Sequence, residues 1–150
     1  MKQYFFLLAF TALAVCANAQ SKSKKFDPIF STSAGAIGGY DPVAYFTDGQ
    51  PLRGEPNITT EWGSATWHFS NTAHRDSFQV APEKYAPCYG GYCAYGWSRG
   101  YPAKVDPTAW TIVAGKLYLN YNADVKSDWD KKQAEYIGKA DANWAKAKRE

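Results

Sequence analysis

Soft ligands are scarce in this 150-residue chain, which has two His, three Cys and one Met. Any chemistry must be built from few such groups. Charge of one sign is scarce too: 17 Lys and Arg stand against 14 Asp and Glu, a net charge of +3. No Lys/Arg run is longer than three, so nothing points to a nucleic-acid groove or a polybasic membrane patch. Long hydrophobic runs are confined to the first residues, and that run is short of the ~20 needed to span a bilayer. Neither a His-Glu-x-x-His zinc helix nor a Gly-x4-Gly-Lys-Ser/Thr phosphate loop is present. The length suits one domain, and 45% apolar content is enough to fill a core, which excludes a disordered chain.

Aromatic residues are abundant: 6 Trp, 11 Tyr and 8 Phe. Several of the Tyr and Phe fall in an N-terminal segment with the form of a secretory signal: Lys2, an apolar run from Tyr4 to Val15, and Ala17-Asn18-Ala19 as a small-x-small cleavage pattern. Residues 1–19 are therefore expected to be removed, which gives a periplasmic or extracellular protein with no membrane span in the mature chain. A lipoprotein cut before Cys16 would put bulky Val15 where a small residue is expected. The mature chain keeps two cysteines, Cys88 and Cys93, in a compartment that permits disulfides.

Residues 20–37, polar and then rich in Ser, Thr, Ala and Gly, read as a flexible lead-in to a domain over 38–150. Val43-Ala44-Tyr45-Phe46 is strand-like and ends at an Asp48-Gly49 turn. Thr59 to Ser70 reads as a hairpin about Gly63-Ser64, with Trp67 and Phe69 on one face and His68 on the other. Ser70 or Asn71 can cap a short helix carrying His74 and Phe78, which Pro82 ends. Trp110 to Tyr121 is a second hairpin about Ala114-Gly115, and from Asn122 the pattern turns helical. The expected class is α+β: a small antiparallel sheet of hairpins, short helices and a C-terminal amphipathic helix.

The candidate ligands are Cys93, His74, Cys88 and His68, a set that suits zinc or copper in kind and number but lacks the spacing of a finger. His68, opposite Trp67 and Phe69, also reads as a plain exposed histidine, and His74 as one at the core edge. Cys88 and Cys93 can pair as a disulfide only if Gly90-Gly91 bends the chain, since five helical residues rise ~7.5 Å, beyond the reach of the bond. Cys93 alternatively starts a helix, where the dipole favours a thiolate. Asp41, before Pro42, is a turn starter or a secondary ligand. Tyr89 and Tyr92 belong to an aromatic stripe that packs or cages a ligand. Asn57-Ile58-Thr59 would be a glycosylation acceptor in a eukaryotic host.

Five separated segments then suggest a family. Gly39-Tyr40-Asp41-Pro42-Val43-Ala44-Tyr45-Phe46, Trp67-His68-Phe69-Ser70, Phe78 with Pro82-Glu83-Lys84-Tyr85, Tyr89-Gly90-Gly91-Tyr92-Cys93-Ala94-Tyr95, and Gly115-Lys116-Leu117-Tyr118-Leu119-Asn120 with Trp129 resemble, in this order, an exported YHS domain protein. The resemblance covers about 38–130 and implies a metal-binding module, of the kind found in metal-transporting ATPases and oxygenase subunits. The longer exported relatives are named YHS domain (seleno)proteins. The three cysteines of the short module fall here on Ala44, Ser70 and His74, and only the last keeps a competent donor. The reading is a non-enzymatic binding module for a metal ion or another small ligand. Its rivals are a thiol redox protein using Cys88 and Cys93, and an interaction module with an aromatic surface.

Overall fold

The computed structural model describes residues 26–149, so the signal segment and Cys16 lie outside the described residues. The chain is mixed α+β. Three antiparallel two-stranded sheets form in sequence order: β1 (Ser31–Thr32) with β2 (Gly35–Ala36), β3 (Glu55–Trp62) with β4 (Ala65–Phe69), and β5 (Asp106–Val113) with β6 (Lys116–Asn120). They are separate sheets among the described residues rather than one. Helices α1 (Ala44–Thr47), α2 (Thr72–Val80), α3 (Pro82–Tyr85), α4 (Ala94–Ser98), α5 (Ala123–Asp130) and α6 (Gln133–Ala147) fill the connections and the C-terminus.

Both long hairpins turn where expected. Trp62 pairs with Ala65 across Gly63-Ser64, and Val113 with Lys116 across Ala114-Gly115. All four turn residues have positive φ, the two-residue turn whose twist matches that of paired strands. Alternation on β4 then buries Trp67 and Phe69 completely and turns His68 to the other face.

Val43-Ala44-Tyr45-Phe46 is helical rather than extended. Asp41 Oδ1 accepts from the Val43 N–H at 2.9 Å and from the Ala44 N–H at 3.3 Å, so its carboxylate serves the start of α1. Pro42 adds a pre-set φ at that start. Capping outweighs the strand preference of one Val and two aromatics. Asn71 does the same for α2, accepting from the His74 N–H at 2.8 Å, and Asn122 for α5, accepting from the Val125 N–H at 2.8 Å. Pro82 sits in the first turn of α3. The C-terminal helical stretch is split in two, because Lys132 leaves helical geometry before α6 begins.

Two hydrophobic clusters divide the interior. The first joins Val43, Tyr45, Trp67, Phe69, Phe78, Leu117 and Leu119. The second is largely aromatic, with Tyr89, Trp97, Tyr118 and Trp129 beneath α6, where Trp144 meets Trp97 edge-on at 5.0 Å. From Phe26 on, the stretch expected as a lead-in supplies Ile29, Ala36 and Ile37 to the first cluster. The few apolar residues of that stretch are what anchor it, helped by a Phe30 N–H to Gly90 carbonyl bond of 2.8 Å.

Candidate functional site

The four candidate ligands occupy different settings. His74 Nδ1 lies 2.7 Å from Asp41 Oδ2, and its Nε2 lies 3.1 Å from Thr47 Oγ1 and 3.5 Å from Asp48 Oδ2. His68 Nδ1 faces the Glu55 carbonyl at 3.3 Å. Cys93 Sγ faces Asn120 Oδ1 at 3.7 Å and accepts from the Gly96 N–H at 3.4 Å. Cys88 stands beside the Tyr118 hydroxyl. Among the described residues, no three His, Cys, Asp or Glu side chains gather as a metal site. The donor set expected for zinc or copper is present in kind but is not brought together among the described residues.

Ala44, Ser70 and His74 do meet, around Asp41. This buried carboxylate receives the Ser70 N–H at 2.8 Å, the Ser70 hydroxyl at 2.7 Å and the His74 imidazole on Oδ2, while Oδ1 serves Val43 and Ala44. Asp41 thus ties the start of α1 to the β4–α2 corner. A buried carboxylate is tolerable only when it is hydrogen-bonded in this way. The Ser70 hydroxyl donates its hydrogen bond to Asp41, so the arrangement joins segments.

Both cysteines are free thiols. The bend that a Cys88–Cys93 bridge needs is present, with Tyr89, Gly90 and Gly91 all at positive φ. It packs Gly90 against the Pro28 carbonyl, where a Cβ would collide, and it delivers Cys93 to the N-cap of α4. Burial pushes both thiols above the ordinary range. For Cys93 this outweighs the N–H groups of Gly96, Tyr121 and Tyr95 that face its sulfur. Tyr89 donates to Asp141 Oδ1 at 2.9 Å and its phenol is also pushed up, first by burial and then by that carboxylate. Tyr92 is half-buried, edge-on to Phe26 at 5.8 Å. In the 85–101 stretch the aromatics are mainly packing, and Tyr101 is the exposed one.

Two features escaped sequence reasoning. Gly96-Trp97-Ser98-Arg99-Gly100 has the Gly-x-Ser-x-Gly spacing of a hydrolase nucleophile. Such a serine needs a strand-to-helix turn, whereas Ser98 ends α4 and donates to the Tyr95 carbonyl at 2.6 Å. The second is a cleft of about 740 Å³ at the seam of the two clusters. Ile29, Trp62 and Ala86 wall it from the first cluster, and Phe26, Cys88, Tyr89, Trp144 and Ala147 from the second. Its residues are scattered from 26 to 148, and each alone reads as core or surface. No short motif could have marked it.

No family model, curated protein or solved structure matches the chain. No helix among the described residues is long and apolar enough to cross a membrane.

Proposed function

We propose that this is an exported, YHS-type binding module whose ligand is a small organic molecule held in the cleft beside Cys88. One observation carries the reading: an apolar cleft of about 740 Å³ lies where the two hydrophobic clusters meet. That volume is within the ~300–1,000 Å³ of small-molecule sites. The Asp41 cluster holds segments together and Cys93 is buried at the N-cap of α4, whereas the cleft is open and mainly apolar. A thiol in its wall provides a reporter.

The test titrates the purified mature chain with dodecanol, following Trp62 and Trp144 fluorescence and the rate at which Cys88 is alkylated. Saturable binding that slows alkylation supports the reading, and Ala147→Trp should abolish it by filling the cleft. Binding that survives Ala147→Trp, or its absence in the parent chain, overturns it.

A further inference from the structure

The rim of the cleft is not neutral. Lys84, Lys116 and Lys148 line it against a single acidic residue, Glu83. All four are exposed. Among the described residues no carboxylate pairs with any of these lysines, although other lysines of the chain do find acids: Lys126 with Asp130, Lys131 with Asp128 and Lys139 with Glu135. Lys84 instead lies 5.0 Å above the Tyr85 ring. Lys116 is close enough to Cys88 to favour its thiolate, against the stronger effect of burial. The cleft therefore joins an aromatic and aliphatic floor to a rim carrying more positive than negative charge.

We infer that the ligand is an amphipathic monoanion: a free organic carboxylate with an extended apolar body, its tail on Ile29, Trp62 and Trp144 and its head among the three lysines. This rests on the cleft being the ligand site. The apolar floor rewards burial of a hydrocarbon body in proportion to area, and an ionised head gains charge-assisted hydrogen bonds from ammonium groups. Lysine suits a mobile head, because its ammonium is a point charge on a flexible stem rather than a fixed fork. Glu83 opposes a multiply charged head such as a phosphate monoester, so a singly charged one is the better match. No bond is made or broken in this event.

The experiment compares dodecanoate, dodecanol and dodecyltrimethylammonium, each kept below its micelle concentration, on the mature chain by tryptophan fluorescence and calorimetry. Dodecanoate should bind about tenfold or more tighter than dodecanol, and the cation weakest. Replacing the three exposed lysines together (Lys84→Gln, Lys116→Gln, Lys148→Gln) should erase the gap between acid and alcohol. Equal binding of acid and alcohol, or a gap that survives the triple variant, overturns the inference and leaves the cleft as an apolar site. If no probe binds, the cleft reading fails and takes this one with it. Sedimentation with phosphatidylglycerol vesicles that is lost in the triple variant but retained in Ala147→Trp would show that the lysines serve a lipid surface, and would also overturn it.

Discussion

Asp41 shows how one side chain can decide several local structures. Its two oxygens receive groups from Val43, Ala44, Ser70 and His74, and the side chain is fully buried. Asp41→Ala removes a helix cap and leaves the Ser70 N–H without its acceptor. The expected loss is about 3 kcal/mol or more by urea unfolding, well above the cost of an ordinary surface change. The cysteines give a second test at this scale. Cys93 is 2% exposed while Cys88 is on the cleft wall, so native-state alkylation should label Cys88 first and Cys93 only on unfolding. Because burial pushes both thiols up, labelling of Cys88 should be slow at neutral pH and accelerate above the ordinary thiol value of 9.0. Equal labelling of the two in the native protein would contradict the placement.

The hairpins are the elements the sequence announces most clearly, because turn chemistry and period-two alternation agree in Gly63-Ser64 and Ala114-Gly115. Their tips also store strain, since Ser64 has φ 65° and Ala114 φ 50°, a region that glycine enters freely and an L side chain resists. Ala114→Asn should stabilise by about 0.5–1 kcal/mol, because Asn tolerates the left-handed region that Ala resists. Gly115→Ala should cost about 1–2 kcal/mol although a Cβ there meets nothing within 4 Å, so that the backbone alone pays. Opposite signs in paired urea melts check both. The helix α1 was less legible. Val43-Ala44-Tyr45-Phe46 carries strand-type side chains, and what makes it helical is an Asp carboxylate held in place by Ser70 and His74, a contact spanning 33 residues to His74 that no local pattern displays. The candidate site was less legible still. His74 and Asp41 stood out as residues with possible chemistry, but their partnership is structural. The cleft is made of side chains whose apolar character was visible and whose convergence was not.

At the scale of the whole molecule, two clusters meet along a seam, and much of the second is aromatic or thiol groups that hold protons. Cys88, Cys93, Tyr89 and Tyr118 belong to this half or border it, and Tyr45 to the other, and burial raises the pKa of each. The consequence for stability has a definite sign. A thiol or phenol whose pKa is raised on folding keeps its proton in the native state, while the unfolded chain releases its own at the ordinary values of 9.0 for thiols and 10.0 for phenols. Above those values unfolding liberates protons, so rising pH favours the unfolded state. Stability should be flat with respect to these groups below about pH 8 and fall from about pH 9 upward, by about 1.4 kcal/mol per pH unit for each fully engaged group. The two thiols act first. In the double variant Cys88→Ser, Cys93→Ser the decline should therefore begin later, near the phenol value, even if the absolute stability is lower. Urea unfolding at intervals from about pH 7 to pH 11, with proton release followed in parallel, measures both onsets. A decline that starts at the same pH in the parent and the double variant would mean that the thiols are not held protonated by burial, against the buried setting of Cys93 at the N-cap of α4 and of Cys88 in the wall of the cleft.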